Sequence, residues 1–307
     1  MSPVGMIPGQ SADNWRPVER LSIVTPLGIR FWDPAFDVQV DDGLSVTAYP
    51  SGADFPSTPG MRTPSGVYAF RGLPGLHDVE YPPGDPPSPG SLPAIQRFQV
   101  VVADAQGRFL PMSFAVDAPF RGIFPTDLTQ PPSGIAPPGF YLFSAPTRSG
   151  SPLVAMVRAQ LSERLDAIDD QPAAHAVIEV DTPAGDTWVG IADARGIAAL
   201  LFPYPTFTGA GAASLPASLP PGSGGQQSWP VTFRVRYQPS ALTFPPGAAL
   251  PELRTVLAQA QAAIWTERAA PPGEALASLS ATLVFGQELV MASAGESVLL
   301  VSPGSLP

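Results

Sequence analysis

The stretch Phe98-Gln99-Val100-Val101-Val102-Ala103-Asp104-Ala105-Gln106-Gly107-Arg108-Phe109 reads as an apolar strand that ends, turns and starts again. The aspartate is placed to bond backbone amides across the turn, and Gly107 accepts the left-handed conformation that other residues resist. A second copy of the pattern stands at Ile191-Ala192-Asp193-Ala194-Arg195-Gly196-Ile197. Turns of the Asp-x-x-Gly kind are ordinary hairpin chemistry, so the repetition alone does not establish a duplicated domain. It does set the grammar of the chain: short extended runs joined by tight polar turns.

Working outward, a first block spans 18–125. Its candidate strands are Arg20 to Thr25, Phe36 to Val40, Leu44 to Tyr49, Gly66 to Arg71, Phe98 to Ala103 and Phe109 to Val116. Leu44, Val46 and Ala48 alternate with Ser45, Thr47 and Tyr49, the period of a half-buried strand. Asp41-Asp42-Gly43 supplies a hairpin turn between two of these runs. A second block spans 141–208, with strands at Leu153 to Leu161, Ala174 to Val180, Thr187 to Ala192 and Ile197 to Phe202; Leu161 to Asp170 reads as a helical turn or a polar loop.

Proline, 41 of 307 residues, punctuates these runs in clusters at Pro82 to Pro93, Pro131 to Pro138, Pro216 to Pro221 and Pro245 to Pro251. Proline removes a backbone donor and fixes φ, which suits sandwiches and barrels rather than helix bundles. Residues 1–17 form an N-terminal extension, 126–140 a Pro-rich linker and 209–228 a small-residue linker or exposed loop. The remaining segment, 229–307, offers a strand at Val231 to Tyr237 and a helix over Pro251 to Glu267. Proline stands in that helix's first turn, and Leu253, Val256, Leu257, Ala260, Ile264 and Trp265 form an apolar stripe. A hairpin of Ala281 to Phe285 with Glu288 to Ala292, then a strand at Ser297 to Val301, completes the chain, packed on the second block. The expected fold is therefore mainly β: two β-sandwich domains and a C-terminal α+β segment with one clear helix.

Composition excludes several classes of function. The net charge is -10 and all 16 basic residues are arginine, against the clustered basic footprint that nucleic acid requires. With no lysine, Schiff-base and P-loop chemistry are absent. With no cysteine, there are no thiolate sites or disulfides. The N-terminus lacks a basic n-region and an apolar h-region, and no run of 18 apolar residues offers a membrane span. These features imply cytoplasmic synthesis without a signal peptide, and release, if any, with a particle on lysis. Charged residues are only 14% of the chain, as in a subunit that hides surface against neighbours.

The run Arg62-Thr63-Pro64-Ser65-Gly66-Val67-Tyr68-Ala69-Phe70-Arg71-Gly72-Leu73-Pro74-Gly75 resembles the hairpin of transthyretin-like, carboxypeptidase-regulatory-type β-sandwiches. The resemblance implies that Tyr68 and Phe70 face the core together and that Leu73-Pro74-Gly75 turns a corner. The second block is similar in layout but has Phe202-Pro203-Tyr204-Pro205 in place of that corner. Such modules brace or join other domains. The order of two blocks, linker, helix and C-terminal hairpin also resembles accessory structural proteins of phage-tail-like contractile injection systems.

Chemistry-bearing residues are sparse. The two histidines, His77 and His175, are isolated, and no zincin, nucleophile-elbow, Walker or Rossmann spacing occurs. Asp41-Asp42 and Asp169-Asp170 are adjacent pairs in turns, whereas glycosidase carboxyls face each other across a cleft. A calcium loop needs a longer acidic pattern. Phe31-Trp32, Trp188 and Trp229 offer flat rings for a sugar platform. The reading is a non-enzymatic structural or adaptor subunit without cofactor, whose partners are other protein subunits. The alternative is a carbohydrate-binding or adhesive module. Candidate partner-binding residues are Trp188, Trp229, Leu257, Ile264 and Trp265. A cleft bringing a histidine to converging acidic groups would oppose this reading.

Overall fold

The Asp104 turn forms as its sequence requires. Oδ1 accepts the amide of Gln106 at 3.2 Å, and Oδ2 those of Arg108 at 2.7 Å and Phe109 at 3.3 Å. Gly107 sits at φ 66. In the computed structural model, which describes residues 24–52, 56–81, 94–120, 139–164, 171–205, 227–268 and 274–304, this turn joins the longest hairpin of the first sandwich. Outside those residues fall Asp169-Asp170, most of the expected strand at Arg20 to Thr25, and all of the 209–228 tract but residues 227 and 228.

The first sandwich contains β1 (Leu27–Ile29), β2 (Phe31–Asp33), β3 (Val38–Val40), β4 (Leu44–Pro50), β5 (Thr58–Arg62), β6 (Tyr68–Phe70), α1 (His77–Glu80), β7 (Gln96–Asp104), β8 (Met112–Ala118) and β9 (Phe140–Tyr141). An antiparallel six-stranded sheet in the order β1-β6-β5-β4-β7-β8 faces a small sheet in the order β3-β2-β9. Val46 and Ala48 point inward, with Phe70, Phe98, Val100, Phe114 and Phe140. Tyr68 and Phe70 are both buried, and Gly75 turns the corner at φ 78. The expected hairpin at Asp41-Asp42-Gly43 is instead a corner between sheets, because β3 pairs with β2 while β4 pairs with β5 and β7. Arg108 fastens it, reaching Asp42 Oδ1 at 2.9 Å while its own turn holds Asp104.

The second sandwich contains β10 (Val154–Glu163), β11 (Gln171–Pro172), β12 (Val177–Asp181), β13 (Thr187–Ile191), β14 (Ile197–Pro203), β15 (Ser228–Arg236), α2 (Leu253–Leu257), β16 (Ala263–Trp265), β17 (Ala275–Leu276), β18 (Leu279–Val284), β19 (Glu288–Met291) and β20 (Leu299–Ser302). A four-stranded sheet, β13-β12-β15-β18, packs on a seven-stranded one centred on β10, which pairs with β14, β19 and β20. Strands from 229–307 thus stand inside both sheets rather than beside a finished domain. In β15, Trp229, Val231, Phe233 and Val235 face the core, while Arg234 and Arg236 face outward to Glu179 and Asp181. Strand β10 is buried on both faces: Val154 and Met156, opposite its core residues, cluster with Ala35 of the first sandwich.

Two further expectations need correction. The helix expected over Pro251 to Glu267 is a single turn and a half, α2, and Ala263–Trp265 is strand β16. Tertiary partners, and one local side chain, take the backbone groups that would extend the helix. Arg236 Nη1 donates to Leu257 O at 2.6 Å, buried Gln259 donates to Val256 O, and the Tyr237 and Ala262 amides exchange bonds with Ala260 and Val235. Propensity is a weak prior against such bonds. The apolar stripe is divided accordingly: Leu253, Val256 and Leu257 enter the first core and Ile264 the second. Nor do 281–285 and 288–292 pair as a hairpin. Strand β18 pairs with β15 in one sheet and β19 runs parallel to β10 in the other, with Phe285-Gly286-Gln287 crossing between them.

The sandwiches meet at α2. Glu252, just before it, accepts Gln99 Nε2 at 2.7 Å and the Ala115 amide of the edge strand β8 at 2.9 Å. Nearby, the buried Arg148 guanidinium is held by Asp33 and Ser144, and Arg158 of β10 donates to the carbonyls of Pro146 and Arg148.

Glu252→Ala is expected to cost about 2–4 kcal/mol, since it removes charge-assisted bonds and strands an edge amide. Urea unfolding measures the loss, and hydrogen exchange at Ala115 locates it. Gly196→Ala would place a methyl 2.3 Å from Leu161 O at φ +76, whereas Gly185→Ala meets nothing within 4 Å at φ +91. The second should cost about 1–2 kcal/mol and the first about 3 kcal/mol or more; equal losses would contradict the packing described. Burial raises the Asp104 carboxyl, but bonds from Arg108 and the turn amides outweigh it and hold it below the usual range. A depressed carboxyl stabilises above its unfolded value and loses that contribution as pH falls toward the folded one. Asp104→Asn is therefore less stable than wild type at pH 7, and the gap in unfolding midpoint narrows below about pH 4.

Candidate binding cleft

A cleft of about 480 Å³ opens where the two sandwiches and α2 converge. Its walls are mostly apolar. Leu110, Pro111 and Met112 enter from the start of β8, and Phe143 and Pro146 from the connection between sandwiches. Ile191 comes from β13, and Pro251, Leu253 and Val256 from the α2 turn. The sequence puts these residues together because both Asp-x-x-Gly turns lie at this end of their sandwiches. The first precedes Leu110; the second supplies Asp193, Ala194 and Arg195.

His175 is the polar feature of the floor. It precedes β12 at φ 60, a left-handed conformation in which histidine is enriched among non-glycine residues. Its amide donates to Asp193 O at 3.4 Å, and its carbonyl accepts Gln259 Nε2 at 2.8 Å. Burial pushes the imidazole below its usual range, and the Asp193 charge offsets this only in part. The ring nitrogens make no hydrogen bond among the described residues.

Ser113, His175 and Asp193 line the same cleft, the residue types of a nucleophilic triad. Their bonds point elsewhere. Ser113 Oγ meets Gln99 Nε2 at 2.6 Å. The Asp193 carboxylate accepts the Arg195 and Ile197 amides at 2.9 Å each and the Arg195 guanidinium at 3.0 Å. No hydrogen bond links serine to imidazole or imidazole to carboxylate among the described residues, so nothing activates the hydroxyl or orients the base. His77 is exposed, 3.6 Å from Asp78 and tilted over Tyr81, and takes no part in the cleft. Among the described residues no three His, Asp or Glu side chains converge on a metal position. Among the described residues no helix is long and apolar enough to cross a membrane.

The five residues proposed from sequence are not brought together. Trp188 is half-buried and stacks on Phe202 at 5.7 Å; Trp229 is buried under Tyr204 at 5.2 Å. Leu257 and Ile264 lie in the two cores, so neither presents a face to a partner. Trp265 donates to Ser302 Oγ beneath the Arg164 guanidinium. Phe31 of the suggested platform is fully buried, while Trp32 donates to Asp37. The residue that sequence reading passed over is Phe285, 46% exposed and 4.8 Å from Tyr204, which carries the Trp229 stack to the surface. The Phe-Gly-Gln tripeptide was visible as a turn, but its separation of two sheets was not.

No family model and no curated protein matches this chain. Among solved structures, a candidate adhesin of Bacteroides ovatus shares 10% identity over 74% of this chain and 76% of its own, with a TM-score of 0.21. The TIE protein of Bacillus anthracis shares 9% identity over 85% of this chain and 44% of its own, at 0.21. A C-terminal fragment of the pilus adhesin SpaC of Lactobacillus rhamnosus GG shares 8% identity over 92% of this chain and 100% of its own, at 0.20. Superpositions at that level assign neither fold family nor function.

Proposed function

We propose that the chain is a non-catalytic docking module of the adhesive kind, which holds a partner against its surface without transforming it. The observation that supports this reading is where the charged side chains go. Asp33 is consumed by Arg148, Asp42 and Asp104 by Arg108, Asp193 by its own turn, and Glu252 by the junction. Glu179 and Asp181 are tied to Arg234 and Arg236 across β12 and β15. Recognition is then left to apolar and aromatic surface, of which the Trp229-Tyr204-Phe285 stack is the ordered example. Flat rings of this kind hold the apolar faces of sugars, so a glycan is the partner class. The low charged fraction, 14%, favours a second reading: a subunit concealed in a larger assembly, such as a phage-tail-like contractile injection system.

A glycan array probed with the purified chain tests the first reading. Saturable binding should fall about tenfold or more in Phe285→Ser, with the unfolding midpoint unchanged because the ring is half exposed. Sedimentation of native-host lysate tests the second. A chain that travels only with a megadalton particle, and shows no glycan binding, would replace the adhesive reading with the subunit one.

A further inference from the structure

The cleft between the sandwiches has no role in surface docking, and its chemistry is specific enough to describe an occupant. We propose that it is a binding site for a compact, uncharged, aromatic or alicyclic small molecule carrying one hydrogen-bonding group that meets the His175 ring. The inference stands apart from the docking reading and uses none of its aromatic residues.

Size comes first. About 480 Å³ lies within the roughly 300–1,000 Å³ of small-molecule pockets. Charge comes second. Arg195 is the cation at the rim, and Asp193 neutralises it through Oδ2. The imidazole is kept neutral by burial. A site without net charge, in a chain of net charge -10, complements an uncharged ligand.

Hydrogen-bonding capacity decides between a small molecule and a peptide. An extended peptide would bring a donor and an acceptor per residue into the cleft, each costly if unmet. The lining side chains offer little to meet them. Pro111, Pro146 and Pro251 have no N–H to donate, and the Pro146 carbonyl is taken by Arg158 at 2.7 Å. Thr147 Oγ1 donates to Gly107 O at 3.0 Å, and Ser113 is held by Gln99. The His175 ring alone among the lining side chains described here is without a partner. One imidazole open to the cleft, one donor and one acceptor, matches a single hydroxyl, amine or carbonyl on an otherwise apolar body.

Fluorescence titration of the full-length chain with N-phenyl-1-naphthylamine, a neutral aromatic probe with one N–H, tests the assignment. Wild type should show one-site saturation with a blue shift, displaced by 2-naphthol. Ala194 is exposed on the rim, so Ala194→Trp fills the mouth without entering a core and should weaken binding at least tenfold. His175→Gly keeps the left-handed backbone free of strain, removes the ring, and should weaken binding about fivefold. Absence of saturable binding in wild type, or unchanged affinity in Ala194→Trp, overturns the site. Unchanged affinity in His175→Gly overturns the hydrogen bond assigned to the ring. Displacement by a proline-rich peptide but not by 2-naphthol, or by self-association of the chain, would give the cleft to another occupant and overturn the proposal. Phe285→Ser should leave probe binding intact, so glycan binding in that variant tests the docking reading alone.

Discussion

A β-sheet ends in a row of unpaired amides and carbonyls, and the way this chain closes one such edge organises the rest. Strand β8 is the last of its sheet, and the Ala115 amide at its outer edge is met by the Glu252 carboxylate. That carboxylate also takes Gln99 from β7, and Glu252 forms a bridge to Ser113 in the parallel sense. An edge that would otherwise invite another chain is covered by the chain's own later segment. Because Glu252 immediately precedes α2, the same contact sets Leu253, Val256 and Leu257 into the first core. It also sets Arg236 and Gln259 of the second sandwich at the helix's far end. The two sandwiches are joined by a residue about 140 positions from the strand it caps.

The cleft follows from that join. Residues of β8, β13 and α2 meet around the cleft, and proline-bearing segments form part of its walls. Proline there does two things: it fixes the path of segments that have no ladder to guide them, and it leaves no donor that would need a partner inside an apolar cavity. The imidazole of His175 is the exception, held in place by its own backbone bonds to Asp193 and Gln259 rather than by its ring.

Much of the strand layout could be read from the chain. Alternation in β4 and β15, the Tyr68 and Phe70 pair, and both Asp-x-x-Gly turns depend on residues a few positions apart, so local pattern carries them. What could not be read depends on distant partners. Pro251 to Glu267 has a good helical stripe, yet Arg236 and the Val235 carbonyl, which lie on β15, take the groups that would extend the helix. Asp41-Asp42-Gly43 and Phe285-Gly286-Gln287 have the chemistry of hairpins. Whether such a turn returns to the same sheet or crosses to the opposite one depends on which strand is waiting there. The cleft shared this fate: its lining comes from five stretches between Leu110 and Val256, and although one is an Asp-x-x-Gly turn, nothing in the turn says what it will face.

The use of arginine alone gives a last step. A guanidinium can donate in several directions from one plane, whereas an ammonium is a compact charge. Arg158 caps two carbonyls of the inter-sandwich connection and pairs with Glu288; Arg236 binds Glu179 and the end of α2; Arg108 binds two turns at once. Each does work that would take two or three lysines, so a chain with few charges still fastens its corners. The consequence is that the corners and the junction between sandwiches are fastened by a handful of guanidinium groups, each shared between two elements.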